Sequence, residues 1–286
     1  MESKLKPYIL LAPVAIILIS IMGFGIANCV MQSLEYMPYI GAENISFRFY
    51  KEVIRDSVFL ESLIFSLKTS FISSTVAVFI GVILAYFLSQ EKLSKIKESL
   101  LNLPVIIPHI VVVMLMITIF SQSGIISRIL YSLNIISDSS QFMSLVSDKN
   151  GVGVILVYLW KGIPFTIITA YNILKNISNN LEKVAINLGA SKLQCFRYII
   201  LPLASPTIIS SFIILFAFSF GSFEVPFLIG PTTPKALSVS AYTSYISSDL
   251  SQRSYAMVIN VILSSLSFIL LIVYNKILEK INRYKI

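Results

Sequence analysis

The chain has 286 residues, of which 56% are hydrophobic and only 13% are charged, whereas an average soluble protein has about 25% charged residues. Its mean hydropathy is +0.84, and a soluble domain cannot bury that much apolar surface, so we expect lipid to surround most of the chain. No aromatic-rich RNA-binding motif accompanies the net charge of +8, so we expect no nucleic-acid partner.

Six continuous apolar runs are long enough to cross a bilayer, whose core of about 30 Å needs roughly 20 residues per helix. Continuous runs favour helices over the short alternating strands of a membrane barrel. The first run is long enough to span, so we expect it to be retained rather than cleaved as a signal peptide. We therefore expect an all-α membrane protein with one transmembrane domain over residues 1–286. The expected spans are approximately residues 8–31, 62–89, 101–121, 152–174, 203–229 and 254–275.

Basic residues cluster before the first run and after the second, fourth and sixth runs. With six spans, all four of these segments fall on one side of the membrane. By the positive-inside rule that side is the cytoplasm, so we expect both termini there, in a multi-pass protein of the bacterial cell membrane. The four segments hold 13 of the 22 basic residues: Lys4, Lys6, Lys92, Lys95, Lys97, Lys175, Lys183, Lys192, Arg197, Lys276, Lys280, Arg283 and Lys285.

The connection between the fourth and fifth runs, residues 176–202, is expected to contain two short helices. Asn179 or Asn180 can cap the first helix, which we place over residues 181–188. Gly189 can end that helix, because glycine enters the left-handed conformation at little steric cost. Helical spacing predicts that one face of this helix is an apolar stripe made of Leu181, Val184, Ala185 and Leu188.

The second helix of this connection is predicted over roughly residues 192–200. Ser191 can cap it, and Pro202 lies where a helix breaks or the next one begins. The residues by themselves leave two interpretations open. The connection is either an amphipathic segment lying on the lipid headgroups or a docking elbow for a soluble partner.

The end of this connection resembles the signature of ABC importer permeases. That signature reads Glu-Ala-Ala, three residues, Gly, nine residues, Ile, one residue, Leu-Pro. Gly189, Ile199, Leu201 and Pro202 match it in register. Further stretches are similar to the spermidine/putrescine-type branch, whereas related branches import iron, thiamine, phosphonates or sulfate. These stretches are LPVIIPHIVV at 103–112, YLWKGIPF at 158–165 and FGSFEVPFLIGP at 220–231.

The beginning of the signature departs from the family pattern. Lys183 stands where the family has Glu, Val184 where it has the first Ala, and Ala185 matches the second Ala, while Glu182 lies one position early. The resemblance nevertheless assigns contact with the ATPase to this connection. The implied coupling residues are Glu182, Lys183, Val184, Ala185, Leu188, Gly189, Ala190, Ile199, Leu201 and Pro202.

The resemblance implies the fold and the partners of a type I ABC importer permease. Two permease subunits, here expected to form a heterodimer, make the pore; two cytoplasmic ATP-binding subunits power it, and an external solute-binding protein delivers the cargo. The chain itself is expected to bind no cofactor, with ATP and Mg held by the partner ATPase. The cargo implied by the branch is a polyamine or a similar small charged compound.

The motifs needed for catalysis are not found in the sequence. It contains no G-x-x-x-x-G-K-[ST] phosphate loop, no His/Cys ligand pairs for a metal and no G-x-S-x-G elbow, so we expect a transport subunit and not an enzyme. A stand-alone secondary transporter is the first alternative, although no clear internal repeat supports it. An intramembrane enzyme is the second alternative.

Ionisable side chains inside a span are costly, so each one is a candidate for the cargo pathway. Lys161 lies about 13 Å into the fourth run and Glu224 about 8 Å from the end of the fifth, counting about 1.5 Å per residue. They either pair with each other or line the pore, where Glu224 suits a cationic cargo and Lys161 the reverse. His109 is either a packing residue or a proton or substrate group. The other pathway candidates are Trp160, Ser219 and Ser222.

Overall fold

The computed structural model describes residues 2–38, 41–90, 94–177 and 181–283, and for residues 2–8, 278 and 280–283 only the backbone. The predicted cap at Asn179 or Asn180 lies outside the described residues. The same is true of part of the basic set used for orientation. That part comprises Lys92 and Lys285 and the side chains of Lys4, Lys6, Lys280 and Arg283.

The described residues are mainly helical, and six helices are long and apolar enough to cross a membrane. This confirms the predicted all-α architecture with six candidate spans. The spans are Ile9–Ser33, Ser57–Ser89, His109–Ser132, Val152–Ile177, Lys192–Gly221 and Ser251–Ile277. The α-helices in chain order are α1 (Glu2–Ser33), α2 (Arg48–Arg55), α3 (Ser57–Ser89), α4 (Lys95–Ile106), α5 (His109–Phe120), α6 (Ile125–Ser132), α7 (Val152–Ile177), α8 (Lys183–Asn187), α9 (Lys192–Cys195), α10 (Leu201–Gly221), α11 (Glu224–Ile229), α12 (Leu237–Tyr245) and α13 (Ser251–Arg283).

The third apolar run, whose prolines Pro104 and Pro108 predict a kink in a span over about 101–121, forms two helices and not one. Helix α4 ends at Ile106 and α5 begins at His109. Pro108 explains the break, because it has no N–H to continue the helix and it drives the preceding residue to extended backbone. Ile107 indeed has a ψ of 129°. The break leaves the Ile107 carbonyl free to bond outside the helix.

The fifth run, in which Pro226 predicts a kink of the span over about 203–229, is also interrupted. Helix α10 ends at Gly221, and α11 starts at Glu224. In a continuous helix the carbonyl of Ser222 would accept from residue 226, which is a proline without an N–H. The Ser238 hydroxyl donates to that carbonyl instead, at 2.7 Å.

The chain divides into two compact units. The first consists of Met1–Leu60 and Ser240–Ser265. Its short helix α2 buries Phe49 and Val53 on one face. Within this unit the Ser33 and Tyr50 hydroxyls are 2.8 Å apart, which ties the end of α1 to α2.

The second unit consists of Glu61–Val239 and Leu266–Ile286, and its packing is organised around α7. Along its length α7 contacts α4, α5, α10 and α11. Near its start it contributes to a hydrophobic cluster with α5 and α11, composed of Val112, Val113, Met116, Val154, Val157, Tyr158, Val225 and Ile229. Near its end it contributes to a second cluster with α3 and α10, composed of Ala85, Ile167, Ala170, Leu174, Ile200 and Ala204.

Helices α3 and α7 approach each other closely at Gly81. A Cβ atom placed on Gly81 would lie 2.5 Å from the Cβ of Thr166 and 3.1 Å from the Ile163 carbonyl oxygen. Small residues allow two membrane helices to pack backbone against backbone, where van der Waals contact supplies most of the association energy. The pair is therefore a tight seam through the second unit.

Candidate functional site

The connection between α7 and α10 folds as the predicted two-helix elbow, and we use elbow for residues 181–202. Its first arm is α8, preceded by a wide π-type turn at 181–182. Gly189 has a φ of +94°, the left-handed conformation expected of a glycine that ends a helix. The chain then enters α9 and continues through a π-type turn into α10.

Ser191 caps the second arm in the way the sequence predicts. Its hydroxyl accepts from the Gln194 N–H at 3.3 Å, and the Gln194 side chain accepts from the Ser191 N–H at 2.8 Å. This reciprocal capping box satisfies two N–H groups that a helix start leaves without partners. Behind it, Cys195 and Ile200 are fully buried. The elbow is therefore held by local and tertiary contacts together.

The apolar stripe of the first arm faces outward. Leu188 is 84% exposed, and Val184 and Leu181 are also exposed. Leu193 on the second arm is 75% exposed. The remaining predicted coupling residues divide by exposure: Lys183, Gly189, Leu201 and Pro202 are exposed, Ala185, Ala190 and Ile199 are partly buried, and Glu182 is buried.

A cavity of about 240 Å³ lies against α7 in the second unit, and we call it the Lys161 cavity. Helices α4, α5, α7 and α10 supply its walls. Three of the predicted pathway residues, His109, Lys161 and Ser219, line it. The complete lining is Val105, His109, Tyr158, Lys161, Gly162, Phe165, Ile214, Leu215, Phe218 and Ser219.

Lys161 is held at the break between α4 and α5. Its Nζ donates to the Ile107 carbonyl at 2.7 Å and lies 3.5 Å from Nδ1 of His109. The His109 ring stacks on Phe218, with centroids 5.0 Å apart and an interplanar angle of 27°. The interrupted helix thus supplies a carbonyl that fixes the ammonium group at the cavity wall.

Ser219 and Tyr158 connect α10 to α7 on another wall of the Lys161 cavity. The Ser219 hydroxyl donates to the Leu215 carbonyl at 2.6 Å, and its own carbonyl accepts from the Tyr158 hydroxyl at 3.3 Å. Tyr158 is buried and is not among the site residues predicted from the sequence, although it begins the stretch YLWKGIPF three positions before Lys161. A hydroxyl inside an apolar span is the feature that could have identified it.

The other three predicted pathway residues lie outside the described lining of this cavity. Glu224 is exposed in the first turn of α11, and the Lys161 ammonium donates to the Ile107 carbonyl. Whether Glu224 lines the pore stays a prediction. Trp160 is 42% exposed. Ser222 lies at the helix break, where its backbone carbonyl accepts a hydrogen bond from the Ser238 hydroxyl.

A second cavity of about 300 Å³ lies between α4 and α7, on the side of the Lys161 cavity that is nearer to the elbow. Lys175 in its wall donates to the Tyr171 hydroxyl at 3.0 Å. Residues 161, 165, 168, 172 and 175 are spaced by three and four, so one stripe of α7 lines both cavities. The second cavity is lined by Glu98, Leu101, Asn102, Ile167, Ile168, Tyr171, Asn172 and Lys175.

Comparison with protein families decides the class of the molecule. Residues 77–283 match the family described as the binding-protein-dependent transport system inner membrane component. The chain belongs to this family. It is therefore a multi-pass inner-membrane transport subunit of the type I ABC permease class, which confirms the predicted class and membrane location and sets aside the enzyme alternative.

Relatives of the chain are named for several different cargoes. The chain is 25% identical over 236 residues to a probable sulfate transport system permease protein of Helicosporidium sp. subsp. Simulium jonesii, covering 81% of this chain and 83% of the relative. It is 28% identical over 205 residues to the molybdate/tungstate transport system permease protein of Pyrococcus abyssi, covering 70% and 73%.

Solved structures of ABC importers share the fold. A bacterial ABC transporter involved in the import of the acidic polysaccharide alginate aligns with a TM-score of 0.77 at 19% identity, covering 98% of this chain and 96% of its own. An inward-facing methionine ABC transporter aligns with a TM-score of 0.54 at 17% identity, covering 79% and 99%. At these identities the likeness concerns the fold.

Proposed function

We propose that the chain is a pore-forming permease subunit of an ATP-driven importer. It works with a second permease subunit, separate ATP-binding subunits that hold ATP and Mg, and an external binding protein that delivers the cargo. The elbow is the part that the ATP-binding subunit grips. The observation that carries this proposal is the outward apolar face of an otherwise anchored elbow.

The elbow combines a firm base with an uncovered tip. Leu188 and Leu193 are among the most exposed apolar side chains in the described part of the chain, and Lys183 and Lys192 are exposed near them. Exposed apolar groups rimmed by charges are typical of protein interaction sites. The excess of basic residues on this side supports a cytoplasmic position for the elbow, where ATP-binding subunits are found.

Docking at the elbow is tested with Leu188→Asp. A charge at a side chain buried by the partner should reduce co-purification of the ATP-binding subunit at least about tenfold. Because Leu188 is 84% exposed, the substitution should leave the fold of the free chain intact. Met143→Asp is the matched control, since Met143 is 71% exposed in a loop outside the candidate spans. Equal co-purification of both variants would refute the docking proposal.

For the cargo, the cavity favours a small anion among the charged compounds that the sequence suggested. Lys161 is the only formally charged residue among the described residues that line the Lys161 cavity. An ammonium group inside apolar walls interacts strongly with an anion because little water screens it. Lys175 continues the same stripe of α7 in the second cavity, although Glu98 stands opposite as a counter-charge.

The names of the relatives support the same choice of cargo class. A probable sulfate permease and a molybdate/tungstate permease are both named for oxyanions. A tetrahedral oxyanion offers several acceptor oxygens to an ammonium and to hydroxyl donors. The Lys161 ammonium in the cavity wall is a group of that kind.

The cargo proposal is tested by uptake of labelled sulfate and molybdate through the complete transporter. Lys161→Met should lower the uptake of the transported anion about tenfold by removing the charge-assisted contact. Lys161→Arg keeps the charge and should retain most of the uptake. Uptake of sulfate and molybdate that is indifferent to Lys161→Met would contradict the anion proposal.

A polyamine is the second candidate, and the exposed carboxylate of Glu224 favours it. Glu224 begins α11 directly after the break in the fifth apolar run. If the cargo is a cation, Glu224→Gln should lower spermidine uptake while Lys161→Met leaves it unchanged. The two single variants therefore separate the two cargo classes.

A further inference from the structure

A buried carboxylate stands directly beside the exposed tip of the elbow. Glu182 is only 2% exposed, although its neighbours Leu181 and Lys183 are both exposed. Burying a carboxylate costs a large desolvation free energy unless hydrogen bonds replace the lost water. Glu182 is therefore placed to bond inside the chain and not to touch a docked partner.

The partners of Glu182 come from the end of α3. The Tyr86 hydroxyl donates to Oε1 at 2.7 Å, and the Gln90 amide donates to Oε2 at 3.0 Å. Both donors precede Glu182 by more than ninety residues in the chain. Hydrogen bonds to an ionised group are stronger than neutral ones, so this pair of bonds fixes the first arm of the elbow to α3.

Tyr86 also holds the second arm of the elbow. Its ring lies 4.9 Å, centroid to centroid, from the ring of Phe196, where the π-type turn before α10 begins. The same side chain thus contacts α8's entry through its hydroxyl and α9's exit through its ring. The end of α3 therefore connects both arms.

Beyond Tyr86, contacts continue toward the Lys161 cavity. Tyr86 packs against the second hydrophobic cluster, which contains Ile167 of α7, and Gly81, about one turn and a half earlier on α3, packs closely against Thr166 of α7. Thr166 in turn lies five residues after Lys161 on the same helix. A contiguous set of packed groups of this kind can carry energetic coupling between two sites, and double-mutant measurements test whether it does.

We propose that Glu182, Tyr86 and Gln90 form a latch that couples movement of the elbow to α3. Glu182 is then a positioning residue that acts through α3, and the ATP-binding subunit contacts the exposed residues around it. The latch rests on the proposed docking of the elbow. It also accounts for Lys183 at the signature position of the family's Glu, because the carboxylate of this chain is one residue earlier and turned inward.

The latch is tested by the ratio of cargo transported to ATP hydrolysed in the complete reconstituted transporter. Glu182→Ala should lower this ratio about tenfold, while Tyr86→Phe, which deletes one hydroxyl, should lower it about threefold. Glu182→Gln should be milder than Glu182→Ala, because the Gln90 amide can turn over and accept from the new amide. Adding Tyr86→Phe to Glu182→Ala should cause no further loss, since the two residues act on one bond.

Controls match each change at an exposed position outside the elbow. Glu279→Ala removes an exposed carboxylate on α13, and Tyr131→Phe removes an exposed hydroxyl on α6. Both should leave the ratio at the wild-type value. If Glu182→Ala does not fold, Tyr86→Phe decides the question, because loss of one hydroxyl leaves the ring packing on Phe196 in place.

Docking is monitored in the same samples by cross-linking Leu188→Cys to the ATP-binding subunit. An absent cross-link in the otherwise unchanged chain would overturn the docking of the elbow. A cross-link that persists in every variant, together with an unchanged transport ratio in Glu182→Ala or Tyr86→Phe, would overturn the latch alone. A persistent cross-link with a reduced ratio is the expected result.

Discussion

The elbow and the Lys161 cavity arrange polar and apolar groups in opposite ways. The elbow turns Leu188 outward and its carboxylate, Glu182, inward, whereas the cavity surrounds the Lys161 ammonium with mainly apolar side chains. In each region a charged side chain is anchored by groups of the chain itself, the Tyr86 hydroxyl in one case and the Ile107 carbonyl in the other.

The contrast teaches where each region can act. An apolar face exposed on a rigid base is suited to being gripped by another protein. A charge held in an apolar cavity is suited to a small charged ligand. Helix α3 bonds to the elbow and α7 lines the cavity, so changes where these two helices pack together test whether the two regions depend on each other.

The largest expected effect is at that seam. Gly81→Ala places a Cβ 2.5 Å from the Thr166 Cβ. Both Cβ atoms are bonded directly to the backbone and cannot rotate away, so the helices must separate. Overpacking of this kind typically costs about 1 to 3 kcal/mol. We expect a reduced free energy of unfolding in detergent, measured by chemical denaturation, and reduced transport. Gly23→Ala is the control, since a Cβ on Gly23 meets nothing within 4 Å.

The second expected effect is at the turn of the elbow. Gly189 has open space around it, so the cost of Gly189→Val comes from its φ of +94° and not from a clash. A β-branched residue in this conformation costs on the order of 1 to 3 kcal/mol, which should lower coupled transport about tenfold. Gly189→Asn tolerates the left-handed region better and should lose clearly less. Equal transport by both variants would show that the elbow adapts without this turn.

Local signals in the sequence predicted much of the elbow and the number of spans. Long apolar runs identify membrane helices because a span must be apolar along its whole length, so hydropathy along the chain is enough to locate it. Gly189 and the Ser191 cap were predictable because each depends on residues within three or four positions. The sequence could not decide between a connector that lies on the membrane and a docking elbow, since that depends on whether lipid or a protein covers the apolar stripe.

Pro108 and Pro226 are local signals for the helix breaks, whereas the groups that bond to the freed carbonyls and to the buried side chains could not be predicted from local signals. The break at Ser222 depends on Ser238, whose hydroxyl replaces the N–H that Pro226 lacks. Lys161 bonds to a carbonyl 54 residues away, and Glu182 to a hydroxyl 96 residues away. Such pairs arise from tertiary packing. Depth along the spans therefore left open whether Lys161 pairs with Glu224 or lines the pore, and it gave no sign of the Ile107 carbonyl that accepts from Lys161.

A smaller effect is expected at the cap of the second arm. Ser191→Ala removes the hydroxyl that accepts from Gln194, which should cost about 1 kcal/mol of local stability. We expect coupled transport to fall about threefold, and amide exchange in residues 192–195 to accelerate by a similar factor. Ser191→Thr retains the capping oxygen and should restore both values. Slowed uptake in Ser191→Ala without faster exchange would mean that the hydroxyl acts by another route.

The smallest effect should come from the helix break that holds Lys161. Pro108→Ala restores an N–H that can donate to the Pro104 carbonyl, which favours joining α4 to α5 and turning the Ile107 carbonyl away from Lys161. The ammonium keeps its place on α7 but loses one acceptor, so uptake of the transported anion should fall only about twofold. Pro104→Ala is the control, because Pro104 already lies inside α4. If Pro108→Ala transports like the wild type while Lys161→Met does not, the charge of Lys161 is needed but its bond to the Ile107 carbonyl is not. The elbow would then be the only one of the two regions in which anchoring of the charged side chain matters.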